Sequence, residues 1–478
     1  MKKQIFNPYM PSWEYVPDGE PHVFGDRVYV YGSHDIYNGW VYCLGDYVCW
    51  SAPVNDLTDW RYEGVIYPRS APGRNEDRTK CLYAPDVTQG PDGRYYLYYV
   101  YDREWFVSVA VCDTPCGKFQ FLGYVHYKDG TRYGENHAKG DEPQFDPGVL
   151  TEGDKTYLYT GFCFGHEKSR HGPRCVVLGK DMLTIEEDMT FVAPSKPYAK
   201  GSGFEGHEFF EASSMRKVNG KYYFIYSSGN GHELCYSTSE NPKGPFKYGG
   251  VIISNCDKGI SSYKDTDRPT AYGANNHGSI EFINGEWYIF YHRHTNGTEF
   301  ARQACAERIN ILEDGSIPQV ELTSCGLNGG PLEGKGEYPA VIACNLFTEK
   351  ENGHVTNDDA FPNFKQYSGE PDEDFSKVEN TDWPDTYIYN LKDTATAGFK
   401  YVDFKDTKKV SVITRGYCNG KFEVRTNIDG EVLAEIPVDS CSVWQKWSCD
   451  VDLNCGKSAL YLTYRGTGFA TVKSIVLE

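Results

Sequence analysis

Five ionisable residues recur at nearly the same distance from five aromatic residues. Asp18 lies 11 residues before Tyr29, Asp86 10 before Tyr96, Asp146 11 before Tyr157, Glu211 12 before Tyr223 and His277 11 before Tyr288. A lone Asp beside a turn reads as structural, but five polar groups in register across five repeats are expected to converge. Converging carboxylates shift one another's pKa and cost stability. Glycoside hydrolysis needs such an arrangement: one carboxylic acid protonates the leaving oxygen, and one carboxylate activates water or attacks the sugar.

The elements that must position these groups show the same repeat. A short turn precedes an aromatic-rich run five times: Gly25-Asp26 before Val28-Tyr29-Val30-Tyr31, Asp92-Gly93 before Tyr95-Tyr96-Leu97-Tyr98, Gly153-Asp154 before Tyr157-Leu158-Tyr159, Asn219-Gly220 before Tyr222-Tyr223-Phe224, and Asn284-Gly285 before Trp287-Tyr288-Ile289-Phe290. Such dipeptides suit two-residue hairpin turns with positive φ. The aligned aromatics are 67, 61, 66 and 65 residues apart. A regular period longer than one hairpin predicts a four-stranded blade per repeat, hence five blades. The ionisable groups then sit on the innermost strands, at one mouth of the central channel. A run of hairpins in a sandwich would not keep so constant a period.

The repeat fades after Gly315. Residues 324–339 are rich in Gly and Pro and read as a linker, and an acidic stretch at 369–385 reads as a solvated loop. Alternating strands follow at 399–404, 410–414, 422–426 and 460–464. The predicted class is all-β: a five-bladed β-propeller over 1–323, the linker, and a β-sandwich of jelly-roll type over 340–478.

Composition agrees. Aromatics make up 15% of the 478 residues, with 38 Tyr and 9 Trp, and there are 49 Gly for turns. Tyr and Trp suit half-buried pleated strands. A net charge of −19 argues against nucleic acid and anionic membrane, which need clustered Lys and Arg. No run of about 18 apolar residues occurs, so no membrane span is expected. Lys2 and Lys3 are not followed by an apolar signal segment. The 16 Cys lack paired C-x-x-C spacing for structural zinc. They read as free thiols, and the expected location is the cytoplasm.

The segments around the recurring positions resemble glycoside hydrolase family 43. They are Pro17-Asp18-Gly19-Glu20-Pro21-His22, Tyr83-Ala84-Pro85-Asp86-Val87, Phe145-Asp146-Pro147, Phe210-Glu211-Ala212-Ser213 and Asn276-His277-Gly278-Ser279. The resemblance implies a five-bladed propeller that inverts anomeric configuration. By it, Asp18 is the general base, Glu211 the general acid, and Asp146 tunes and orients Glu211. The family's Asp-Pro at the base is here Asp18-Gly19-Glu20-Pro21, which makes Glu20 a rival base. The same resemblance gives Asp86 a supporting role in the site. His277 matches a channel histidine that contacts bound calcium or its waters, and Arg302 an arginine that bonds sugar hydroxyls. Phe24, Trp40, Trp105 and Phe164 are candidates for aromatic pocket walls. His34-Asp35 could reach the mouth, but sequence does not locate it.

The implied activity is exo-hydrolysis of an α-L-arabinofuranosyl or β-D-xylosyl unit from arabinoxylan or xylo-oligosaccharides, with arabinofuranosidase favoured and dual activity expected. A retaining fructan hydrolase, with carboxyls about 5–5.5 Å apart, lacks its expected segments. A glycan-binding propeller scaffold would have no reason to align carboxylates. In the C-terminal region, Gly398 to Phe404, Thr414-Arg415-Gly416, Trp444-Gln445-Lys446-Trp447 and Ala459-Leu460-Tyr461-Leu462 resemble carbohydrate-binding module family 6. That resemblance makes Trp444, Trp447 and Tyr417 candidate sugar contacts. A second calcium in the sandwich is also implied, and a module that only packs on the propeller stays open. Oligomeric state is left open.

Overall fold

The computed structural model describes residues 3–37, 39–295, 299–348, 363–366 and 386–478. Its first two thirds form five antiparallel sheets, each a meander in chain order. Blade 1 comprises Glu20–Phe24, Arg27–Tyr31, Tyr47–Pro53 and Arg61–Tyr67. Blade 2 comprises Asp86–Gln89, Tyr95–Tyr99, Ser108–Cys112 and Gln120–Tyr124. Blade 3 comprises Gly148–Glu152, Lys155–Thr160, Arg174–Leu178 and Ile185–Phe191, and blade 4 Phe209–Val218, Lys221–Ser228, Glu233–Ser239 and Lys247–Ser254. Blade 5 has three strands, Ile280–Ile283, Glu286–His294 and Arg302–Ile309.

Each first hairpin turns where expected. Asn219 and Gly220 have φ of 50° and 87°, and Asn284 and Gly285 have 50° and 89°. Positive φ at both central positions is the type I′ geometry that matches strand twist. Asp92-Gly93 differs. It lies inside a five-residue loop, because Gln89 pairs with Tyr95 and Gly90 N–H donates to the Arg94 carbonyl at 2.8 Å.

The repeated tyrosines pack between blades. Tyr31, Tyr47, Tyr67, Tyr99 and Tyr101 form one buried cluster joining blades 1 and 2, and Tyr157, Tyr159, Tyr222, Phe224 and Tyr226 join blades 3 and 4. The ring closes in two ways. Gly19 bridges Gly278 between the inner strands of blades 1 and 5. The N-terminal segment also lies along the last strand of blade 5: Tyr9 N–H donates to the Ala304 carbonyl at 3.1 Å, and the Asn7 amide brackets Ala306 at 2.8 and 3.0 Å.

Two sheets make the C-terminal sandwich, one antiparallel at every described pairing and one with a single parallel pair. The second half of the stretch read as a linker, 332–339, belongs to the sandwich. Leu332–Glu333 pairs with Thr396–Phe404, and Gly336–Pro339 pairs with Ala470–Leu477. These edge pieces are too short to show alternation among their Gly and Pro, which is why they read as unstructured. Residues 369–385, read as an acidic loop, lie outside the described residues.

The two domains share a polar seam. Fully buried Lys400 of the sandwich reaches Asp257 and Glu321 of the propeller, each at 3.1 Å. Leu346 N–H donates to the Thr270 carbonyl at 2.7 Å. All 16 cysteines are free. Among the described residues, no helix is long and apolar enough to cross a membrane.

Candidate active site

A pocket of about 340 Å³ opens at one mouth of the channel, lined by Asp18, Asp146, Glu211, His277 and Arg302. Asp18 and Asp146 sit two residues ahead of inner strands, with φ of 58° and 44°. Ala212, beside Glu211, has φ of 66°. Non-glycine residues in this region carry strain and persist where surrounding contacts fix them. Here they turn carboxylates into the mouth.

Strand register resolves the channel into layers. Glu20 pairs with Tyr31, Asp86 with Tyr98, Gly148 with Tyr159 and Ser214 with Ile225, and Ser279 exchanges hydrogen bonds with Phe290. These five residues are equivalent. Two residues upstream, one pleat nearer the mouth, stand Asp18, Ala84, Asp146, Ala212 and His277, with Glu211 delivered by a register shift between Phe209 and Ser214. Asp86 therefore matches Glu20, not Asp18. The five-residue loop of blade 2 shortens its inner strand and disguises the offset.

Asp18 is buried and held as a carboxylate. Arg302 Nη1 donates to its Oδ1 at 3.0 Å, and the Ser33 hydroxyl donates to Oδ2. Burial alone would raise its pKa, but the Arg302 charge above all, with His277 beside it, holds it well below the usual carboxylate range. Arg302 is itself locked by Asp35, at 2.8 Å from Nε and 3.0 Å from Nη2. Its guanidinium also lies over the Tyr42 ring at 4.8 Å. His292 Nδ1 accepts the Asp18 N–H at 3.2 Å, and its Nε2–H donates to the Asn275 carbonyl at 2.8 Å. Burial keeps that imidazole below its ordinary pKa, which suits this neutral tautomer.

Glu211 has the opposite environment. Burial, then the charges of Asp146 and Asp18, push its pKa up to about 8. Burial likewise lifts Asp146 to about 7. Asp146 Oδ2 accepts the Ala212 N–H at 3.2 Å and lies 3.6 Å from His277 Nδ1. One pocket thus pairs a carboxylate stabilised as an anion with a carboxyl group stabilised as an acid, the division of roles that hydrolysis requires.

The expected aromatic walls are partly relocated. Phe164 lines the pocket with Tyr42, Tyr83, Phe145, Phe162 and Phe210. Trp105 stands behind that wall, stacked on Phe162 at 6.2 Å. Trp40 is 74% exposed and outside the lining. Phe24 lies at the far, turn end of its strand, stacked on His22 and edge-on to Tyr95 at 4.9 Å. Side chains six residues along a strand from the mouth, roughly 20 Å, cannot reach it. His34 turns away to Glu14 at 2.9 Å. Ser33, Tyr42 and His292 were not singled out in the sequence; Asp35, named there with His34 as able to reach the mouth, does so through Arg302.

The donors near His277 suit an oxygen-seeking cation. Buried Glu20 Oε1 lacks a hydrogen-bond partner and faces His277 Nε2 at 3.8 Å. The hydroxyl of Ser214 adjoins it, bonded to Glu20 Oε2 at 3.0 Å and to Ser279 at 2.7 Å. An orphaned buried carboxylate oxygen is costly, and calcium takes oxygen ligands, water among them.

The model of the Glycosyl hydrolases family 43 matches residues 16–317, the whole propeller up to its last strand. The chain belongs to glycosyl hydrolase family 43. A xylosidase/arabinosidase of Thermoclostridium stercorarium is 60% identical over 100% of this chain and 99% of its own. A Bacteroides ovatus xylosidase/arabinosidase is 29% identical over 66% of this chain and 97% of its own. Among solved structures, a family 43 β-xylosidase/α-arabinofuranosidase from a compost metagenome, in calcium-free form with xylotriose, has a TM-score of 0.51 at 28% identity, covering 65% of this chain and 96% of its own. The Bacillus subtilis arabinoxylan arabinofuranohydrolase shares the fold across both domains: TM-score 0.52, 20% identity, 98% of this chain and 97% of its own. This family 43 hydrolase is therefore a glycosidase built as propeller plus sandwich.

Proposed function

We propose that this hydrolase removes terminal α-L-arabinofuranosyl and β-D-xylosyl units from arabinoxylan and xylo-oligosaccharides with inversion. The observation that carries the reading is the pairing of ionised Asp18 with protonated Glu211 in one pocket. Asp18 takes a proton from water as that water's oxygen bonds to the anomeric carbon. The glycosidic C–O bond breaks, and Glu211 gives its proton to the departing oxygen. Asp146 holds Glu211 in its acid form by adding negative charge beside it. Arg302 and Ser33 hold Asp18 ionised and aimed. The dual sugar range rests on the 60% identical xylosidase/arabinosidase.

Calcium, where bound, would be held by Glu20 and His277 and would supply positive charge beside the acid pair. The 16 free thiols support a reducing, cytoplasmic setting. In the sandwich, a groove of about 510 Å³ lined by Tyr389, Arg415, Tyr417 and Phe469 supports a glycan-binding role. Tyr417 there is 80% exposed, whereas Trp444 packs on Tyr387 and Arg415 and Trp447 on the core.

The test is hydrolysis of 4-nitrophenyl α-L-arabinofuranoside and 4-nitrophenyl β-D-xyloside, with the product anomer followed by NMR. Wild type should release both sugars in inverted form. Asp18→Asn should cut both rates by about 10²–10⁴. Retained configuration, or an Asp18→Asn variant with full activity, would overturn the reading.

A further inference from the structure

Blade 4 gathers a histidine, a carboxylate and a thiol outside the lining of the catalytic pocket. Glu233 and Cys235 lie two residues apart on its third strand, Glu233–Ser239, so their side chains share one face of the sheet. His207 comes from the loop just ahead of the first strand, Phe209–Val218. Its Nδ1 lies 2.7 Å from Glu233 Oε1. Cys235 Sγ is 3.7 Å from the same oxygen and 4.0 Å from the same nitrogen. Nitrogen, oxygen and sulfur thus face one another across a single small gap.

The spacing suits a tetrahedral ion. Zinc bonds of about 2.0–2.2 Å to N and O and about 2.3 Å to S set the sulfur about 3.6 Å from either partner. Both sulfur separations lie close to that figure. The N–O separation is that of a hydrogen bond and would open to about 3.4 Å as an ion replaces the proton between them. The ligands are already oriented. Glu233 Oε1 accepts from the Ser228 hydroxyl at 2.5 Å and from Asn230 Nδ2 at 2.8 Å. The His207 ring stacks on Tyr248 at 5.0 Å with planes 12° apart, and the His207 carbonyl accepts the Tyr226 hydroxyl at 2.7 Å. Outer partners of this kind fix ligand geometry. Glu233 and Cys235 are buried, but the His207 side chain is 33% exposed and leaves a way in. Thiolate and imidazole select zinc-like cations over calcium, which sets this cluster apart from the oxygen donors around Glu20.

We propose that His207, Glu233 and Cys235 bind a zinc-class divalent cation. On binding, the thiol proton passes to solvent and the sulfur bonds the ion as thiolate. The imidazole gives up its Nδ1 proton and carries one on Nε2, and Glu233 binds as carboxylate. The ion ties the third strand of blade 4 to a loop residue four positions ahead of Glu211. Folding assembles the ligand set, so binding stabilises the blade.

The test titrates Co²⁺ and then Zn²⁺ into chelator-treated full-length protein kept reduced. Wild type should bind cobalt with a thiolate charge-transfer band in the near ultraviolet, which zinc abolishes and calcium leaves in place. Zinc should also raise the midpoint of thermal unfolding. Ser228→Ala, which removes a bond that aims Glu233, should weaken binding about 10–100-fold. His207→Gln and Cys235→Ala should weaken it further and lose the zinc-induced rise. His207→Gln changes a partly exposed ring, so it decides the matter even if emptying the buried Cys235 position unfolds the chain. No band in wild type would overturn the site. So would a band of equal affinity in His207→Gln, because the cobalt would then sit on other thiols.

Discussion

Two layers of one channel, a single pleat apart, treat their carboxylates in opposite ways. In the deeper layer, Glu20 is met by Arg216 at 3.0 Å. Asp86 accepts from His22 at 2.6 Å and from the N–H groups of Val87 and Val149, each at 2.7 Å. Arg216 also reaches Glu281 at 3.5 Å. In the mouth layer, Arg302 is shared between Asp18 and Asp35, and at Asp146 and Glu211 burial and the neighbouring carboxylates outweigh His277, which lies 3.6 Å from Asp146. Both layers come from the same inner strands. The difference lies in compensation: where Arg216 and His22 meet the carboxylates directly, the channel is held together, and where burial and neighbouring carboxylates win, a proton stays on a carboxyl at neutral pH. Buried uncompensated acids cost stability, so their place marks the chemistry.

The largest effect should come from the mouth. Glu211→Gln removes the proton donor and should cut kcat on xylobiose by about 10²–10⁴. A leaving group that departs readily as an anion, such as 2,4-dinitrophenolate, needs little protonation, so the same variant should lose far less on that glycoside. Equal losses on both would turn Glu211 into a positioning residue and erase the contrast between layers. The deeper layer should answer in stability instead. Arg216→Met leaves Glu20 buried without its partner and should cost about 3–5 kcal/mol, the usual result of breaking a buried pair from one side. It would appear as an earlier thermal unfolding transition. If Arg216→Met unfolded like wild type, the deeper layer would not be a structural clamp.

Legibility in the sequence follows the same division. The five blades showed because each repeats a turn and an aromatic strand, a local and periodic signal. Asp18, Asp146, Glu211 and His277 showed because their offsets follow that period. Asp86 was misassigned by one pleat because the loop at 90–94 lengthens while the strand shortens, and counting residues cannot see the exchange. Phe24 is near Asp18 in the chain but at the opposite end of the strand. Asp35 and Arg302 meet across 267 residues, a pairing set by ring closure and carried by no local pattern. The sandwich edge strands at 332–339 were hidden by their Gly and Pro.

The finest test separates Asp146 from Glu211. Catalysis needs Glu211 protonated, so activity should fall as pH rises through about 8, its raised value. Asp146 contributes to that rise by its charge, second only to burial. Asp146→Asn deletes the charge while keeping the shape, so Glu211 should release its proton more easily. The alkaline limb of kcat/KM should then move to lower pH by about one unit, the scale of a single close charge. Stability has a matching sign. A carboxyl whose folded pKa is raised favours folding while protonated, and that contribution is lost as pH climbs from about 4.5 toward about 8. Asp146→Asn should therefore lose less stability than wild type over that window, measured by thermal unfolding after chelation of divalent ions. A limb that stays in place would mean that burial alone sets Glu211.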